Sequence, residues 1–275
     1  MLSRRRVIAG GIGLLAVGLD GCAGAPSRPV RFPATSETVA DPGSFGLNAV
    51  IDMHHNNPVH NLKTARTISG ILGVIHKASE GVGWMDPRYK ERRIQARSAG
   101  LLWGAYHFGT YQHSGTEQAE AFLAAARPDD STVLALDLEL NERSPGNSMR
   151  LGQAEDFVHT LNAATGRMPL LYIQPVWADG KPVGGSSRTL GGRIGPDSSL
   201  AACDLWLADY RSRPELPSAW AGRGWRLWQY AGDGHAGRNS PFGAYARSVS
   251  GVGHCDRNLF NGNEDDLRHY WERGA

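Results

Sequence analysis

Short apolar runs recur along most of this chain, and helical patterns separate the early ones. Runs at 49–54, 73–78, 102–108, 132–138, 169–173, 205–210, 226–230 and 254–259 have the length and composition of buried strands. Between them, Asp86-Pro87 supplies an N-cap followed by proline at the first helical position, with Gly100 as the stop. Ser114 precedes Ala119, Phe122, Leu123 and Ala126 on one helical face, and Ala154, Phe157, Val158 and Leu161 form another before Gly166. Strands alternating with helices of this length predict parallel pairing through right-handed crossovers, and eight strands suggest a closed α/β barrel. The second half breaks the alternation: 180–199 and 232–253 are Gly/Ser-rich, weakly periodic and read as long loops.

One run ends unusually. Val133-Leu134-Ala135-Leu136 leads into Asp137-Leu138-Glu139, two carboxylates at i, i+2. In a strand that spacing puts both side chains on one face, with Cα atoms roughly 6.6 Å apart. Carboxylates are seldom buried without a partner or a task, so the pair either receives an arginine or does acid/base work, as in the cleavage of a sugar linkage. In a parallel barrel, reactive groups gather at the C-terminal ends of strands. Asp52 follows Val50-Ile51 at one such end, and Asp256 lies in the last run. Tyr106, His107, Tyr172, Trp206 and Trp228 fall on or beside strands as well. Rings in a groove suit the apolar faces of sugars, although core packing is the plainer use of each one. His107 reads as a core histidine.

Composition narrows the partners. The formal net charge of the 275 residues is +2, and without residues 1–21, which carry Arg4, Arg5, Arg6 and Asp20, it falls to zero. That excludes a basic footprint for nucleic acid. Residues 1–21 read as an export signal: a positive start, then an apolar stretch too short and Gly-rich to span a bilayer. Ser3-Arg4-Arg5-Arg6 resembles a twin-arginine signal, and Leu19-Asp20-Gly21-Cys22 resembles a lipobox with Asp at an unusual position. The expectation is an exported protein, periplasmic or at the cell surface. Cys22 is a candidate membrane anchor, and cleavage without a lipid is the alternative. Residues 22–46, with Pro26, Pro29, Pro33 and Pro42, read as a tether, and 47–275 as a monomeric catalytic domain. Cys203 and Cys255, on strands separated by a third, would sit roughly 9 to 10 Å apart and stay free thiols.

Several motifs then align in order. Residues 47–262 resemble glycoside hydrolase family 25, the Chalaropsis-type lysozymes, through Ile51-Asp52-Met53-His54-His55-Asn56, Lys77-Ala78-Ser79-Glu80-Gly81 and Gly104-Ala105-Tyr106-His107-Phe108. Gln118-Ala119 with Phe122-Leu123, Leu136-Asp137-Leu138-Glu139, Leu205-Trp206-Leu207-Ala208-Asp209-Tyr210, Trp228-Gln229-Tyr230 and Asp256-Arg257-Asn258-Leu259-Phe260 continue the match. The resemblance implies a flattened TIM-like barrel, (β/α)5(β)3, of eight strands and about five helices, acting on peptidoglycan glycan strands as a retaining N-acetylmuramidase without a cofactor. It implies Glu139 as general acid/base, Asp137 as its partner, and Asp52 and Asp256 as supporting acids. Tyr106, Tyr172, Trp206, Trp228, Asn258 and Glu80 make up the expected substrate-binding set. Met53, His54 and Trp84 depart from the family pattern, as do the two late loops.

Two rivals stand beside this reading. Asp52, His54, His55 and His107 could be imagined as ligands of a metal-dependent amidohydrolase, but residues 169–174 and 206–210 offer no further histidine or lysine. A non-catalytic glycan-binding lipoprotein would keep the aromatics and lose one of the acids at 137 and 139, and neither is lost.

Overall fold

A computed structural model describes residues 42–232 and 248–273. The expected export signal, Cys22 and nearly all of the tether lie outside these residues, as does most of 232–253.

All eight expected strands form: β1 (Leu47–Met53), β2 (Gly73–Glu80), β4 (Leu102–Phe108), β5 (Thr132–Asp137), β6 (Leu170–Ile173), β7 (Leu205–Ala208), β8 (Leu227–Ala231) and β9 (Asp256–Phe260). A two-residue strand, β3 (Trp84–Met85), turns back on the end of β2. The order β1-β9-β8-β7-β6-β5-β4-β2, closed by a β1–β2 pairing, makes an eight-stranded barrel. Neighbours pair in parallel from β1 through β2 and on to β8, but β9 runs antiparallel to both β8 and β1. That reversal decides where Asp256 goes. As the first residue of an antiparallel strand, it arrives at the same rim as the last residues of the parallel ones, in register with Asp52.

Seven α-helices occur among the described residues, two more than expected: α1 (Leu62–Ser69), α2 (Tyr89–Ser98), α3 (Gly115–Ala126), α4 (Leu151–Thr165), the single turns α5 (Pro175–Ala178) and α6 (Ser199–Ala202), and α7 (Glu264–Glu272). The Ser114 cap of α3 is a capping box with Glu117, and Gly166 ends α4 in the left-handed conformation that a residue without Cβ adopts cheaply. Asp86 does not cap α2. Its carboxylate instead accepts from the backbone N–H groups of Arg88 (2.8 Å) and His55 (2.9 Å), and the helix begins at Tyr89. Cys203 and Cys255 are buried and are not joined in a disulfide.

The strand period of two sorts the core into layers. Val50, Ile75, Val133, Ala135, Leu170, Leu227 and Phe260 fill the barrel interior together with Leu267, Tyr270 and Trp271 of α7. Their sequence neighbours Ile51, Val74, Leu134, Leu136 and Leu171 pack outward against the helices. Helix α7 therefore stops one end of the barrel, and Trp271 Nε1 fixes it by donating to the carbonyl of Trp103 at 3.0 Å. The other end is open.

Candidate active site

The same alternation builds the site. Continuing the interior series Val133, Ala135 brings Asp137 to the open end, and the bond from the N–H of Leu138 to the carbonyl of Tyr172 at 3.0 Å carries the ladder one residue further. Leu138 faces outward with Leu136, and both Asp137 and Glu139 line the cavity at the barrel mouth. On the other strands, Val50 leads to Asp52, Leu170 to Tyr172 and Leu227 to Gln229, and Trp206 faces inward on β7. Asp52, Asp137, Glu139 and Asp256 thus share one cavity of about 830 Å³ with Tyr106, Tyr172, Trp206 and Glu80. That volume is near the upper end for small-ligand sites and leaves room for more than one sugar ring.

Burial and mutual repulsion govern the acids. Burial first, then the charges of Glu142 and Asp52, push the Glu139 carboxyl up to about 7, with Lys77 opposing. Asp137, only 8 % exposed, is held well above the usual carboxylate range by burial and by the charge of Glu139. Its Oδ1 is buried with no hydrogen-bond partner among the described residues. Lys77 bonds Glu80 at 2.6 Å and lies over the rings of Trp84 and Phe108. Burial among carboxylates raises the phenols of Tyr106 and Tyr172, so both remain hydroxyl donors. The arrangement offers a proton-bearing carboxyl at neutral pH, a second carboxyl beside it with a vacant acceptor atom, and aromatic walls.

Residues 51–238 match the family described as glycosyl hydrolases family 25, which is well over half of the chain. The chain belongs to glycosyl hydrolase family 25. Lysozyme M1 of Streptomyces globisporus is 28 % identical over 226 residues, covering 77 % of this chain and 67 % of that protein. The bacterial lysozyme of Streptomyces coelicolor superposes with a TM-score of 0.66 at 28 % identity, covering 84 % of this chain and 99 % of the other. The muramidase of Acremonium alcalophilum gives 0.64 at 26 %, covering 83 % and 100 %. The expected family, glycoside hydrolase class and eight-stranded barrel are thereby established, with the helix count revised upward.

In this family 25 hydrolase two of the expected substrate-binding residues do not reach the cavity. Trp228 stands one residue out of phase with Gln229, so its ring is buried on the outer side of β8, where Nε1 donates to the carbonyl of Asp209. Asn258 lies beneath the floor: its Nδ2 donates to Asp52 Oδ2 at 2.7 Å and its Oδ1 accepts from Trp206 Nε1 at 2.7 Å. His107 sits behind the wall, stacked on Phe157 and bonded to Ser79 and Gln118, and burial lowers it to about 3. It therefore stands apart from Asp52, His54 and His55, which face the cavity, and could not bind one metal ion with them.

Two residues that sequence reasoning did not assign line the family 25 site, and one loop supports it from outside. Gln229, 2 % exposed, accepts from the hydroxyls of Tyr172 (2.8 Å) and Tyr210 (2.7 Å) and donates to Asp52 Oδ2 at 3.0 Å. Strand phase could have found it, since it occupies the inward position that Trp228 does not. Lys77 was visible only as part of a motif. Residues 180–198, the first late loop, brace the segment that follows Glu139. Thr189 accepts from Arg150 at 2.7 Å, the carbonyl of Leu190 accepts from the N–H of Leu151 at 2.9 Å, and Leu190 and Ile194 are fully buried.

Proposed function

We propose that the chain is a lysozyme of the muramidase type, hydrolysing the β-1,4 bond between N-acetylmuramic acid and N-acetylglucosamine in peptidoglycan. The observation that carries the reading is the placing of Asp137, the last residue of β5, and Glu139, two residues beyond it, in one cavity walled by Tyr106, Tyr172 and Trp206. The lysozymes and muramidases among its relatives support the same substrate.

A glycosidic oxygen leaves readily only when protonated, and a carboxyl raised to about 7 holds that proton in a substantial share of molecules at neutral pH, as an ordinary glutamate does not. Glu139 gives its proton to the departing sugar oxygen. The carbonyl oxygen of the substrate's own 2-acetamido group attacks the anomeric carbon as the bond breaks, while Asp137 Oδ1 accepts from the acetamido N–H and orients the group. Water then adds to the anomeric carbon from the face the leaving group vacated. Glu139 takes up its proton, which restores the acid and retains the configuration. Asp52, held by Gln229 and Asn258 and in register with Asp256, adds to the negative potential that favours the protonated form of Glu139.

Digested peptidoglycan, reduced with borohydride and analysed by mass spectrometry, tests bond and reaction together. Wild type should yield reduced muramic acid ends and Glu139→Gln should yield none; glucosamine ends would replace the proposal with a glucosaminidase. Proton NMR of the first anomer formed should show retention, and an initially inverted product would exclude the acetamido route. An extracytoplasmic substrate agrees with the leader at residues 1–21. We infer export on that ground, with acylation of Cys22 checked by the mass of the mature N-terminal peptide.

A further inference from the structure

We propose that Arg143 is a specificity-determining residue that binds a carboxylate carried by the substrate; this rests on the muramidase reading and narrows it to an anionic form of the glycan. The cavity lining is strongly acidic, with Asp52, Glu80, Asp137, Glu139, Glu142 and Asp256 facing it. Such a surface repels an anionic polymer unless a cation offsets it where the charged substituent lies. Among the described residues that line it, Lys77 and Arg143 are the permanent cations. Lys77 is already committed, bonded to Glu80 at 2.6 Å and seated 4.6 Å from the centre of the Phe108 ring. Arg143 has no ion pair among the described residues, and its side chain is exposed at the rim.

The backbone beneath Arg143 is fixed. The N–H of Asn141 donates to Ser148 Oγ at 2.9 Å, the N–H of Ser144 to Asn141 Oδ1 at 3.0 Å, and the N–H of Asn147 to the carbonyl of Ser144 at 2.7 Å. Asn147 Oδ1 in turn accepts from the N–H groups of Tyr111 and Gln112, each at 3.2 Å, which ties this turn to the loop after β4. An unpaired guanidinium on a rigid turn, four residues beyond Glu139, is prepared for a planar anion, and two parallel N–H bonds to a carboxylate match its geometry. A muramyl strand offers that anion in two places. Where the stem peptide has been removed, the lactyl group ends in a free carboxylate; where it is present, the lactyl group is amide-linked and the stem carries carboxylates of its own.

Steady-state kinetics of wild type, Arg143→Gln and Arg143→Lys on intact peptidoglycan and on amidase-stripped strands, each also after carbodiimide coupling to methylamine, decide the matter. The Gln variant should raise KM about threefold to tenfold on the form whose carboxylate is bound, with the Lys variant in between. Coupling should raise the wild-type KM to the variant's value and leave the variant unchanged. A gap on stripped strands names the lactyl carboxylate, and a gap on intact material names the stem. Equal KM values for wild type and Arg143→Gln on both uncoupled substrates, or a gap that survives coupling, would overturn the proposal while leaving the muramidase reading intact. Wild type releasing muramic acid ends from neither substrate would overturn both. The thermal midpoint of Arg143→Gln should match wild type, since an exposed side chain without a partner contributes little to the fold.

Discussion

Asn258 couples Trp206 to Asp52: one end of its amide accepts the indole N–H and the other donates to the carboxylate, both at 2.7 Å, from a strand that runs against β1. Because the indole can only donate, it dictates which way the amide points and so guarantees Asp52 a donor. Asn258→Leu strands the indole N–H and removes that donor. Unfolding in urea should show a loss of about 1–3 kcal/mol, and kcat should fall at least tenfold.

Removing the proposed proton donor should cut activity steeply without weakening the fold. Glu139→Gln is expected to lower kcat by about a hundredfold to ten-thousandfold. The folded Glu139 carboxyl titrates near 7 against an ordinary value of 4.5, so between those limits the native state holds the proton more tightly than the unfolded chain. Stability from this group is therefore present at low pH and lost as pH rises toward 7. The glutamine variant should exceed wild type in stability by about 1–3 kcal/mol at pH 8 and match it near pH 4. Differential scanning calorimetry across pH checks the sign, and activity in wild type should decline as pH passes about 7.

Gln229 carries a prediction of its own. Gln229→Leu fills similar space but deprives Asp52 of a donor and the hydroxyls of Tyr172 and Tyr210 of their shared acceptor. The expected result is a fall in kcat of about tenfold to a hundredfold, larger than any change in KM, with the acid limb of the pH–rate profile displaced.

His107 should mark the acid limit of the fold. Its imidazole is depressed to about 3 by burial, so the native state binds fewer protons than the unfolded chain between that value and 6.5. Stability should decline as pH falls through this window, and His107→Gln should flatten the decline in a plot of thermal midpoint against pH.

A fold prediction concerns Gly115, where α3 begins. A Cβ there would collide with the carbonyl of Gln153 and the backbone N of Phe157 on α4, both of them main-chain atoms that cannot step aside. Gly115→Ala should destabilise by about 1–3 kcal/mol despite its better helix propensity, measured by thermal melting.

The eight strands were legible because each is a short apolar run closed by turn residues, and the carboxylate pair because strand phase is read directly from sequence. The same phase, applied to 226–230, separates Gln229 from Trp228. Reading aromatic character instead of phase put the wrong residue in the cleft. Helix α1 escaped notice because Leu62 and Ala65 are its only buried residues in a run of Lys, Thr, Arg and Ser. The cap of α2 was misplaced because Asp86 bonds His55, 31 residues away, a tertiary partner that local rules do not contain. Nothing local in 254–259 announces that β9 is antiparallel either; its direction follows from closing the barrel between β8 and β1.

That reversed final strand has a consequence for biosynthesis. The first 140 residues carry the proposed proton donor, its neighbour and Asp52, yet the cleft gains its fourth acid only when the strand beginning at Asp256 slots between two others. A nascent chain still attached to the ribosome, or one truncated before that point, holds the reactive groups without the vessel that makes them act together. On the proposed mechanism the ability to cut thus waits for that strand and arrives with closure of the barrel.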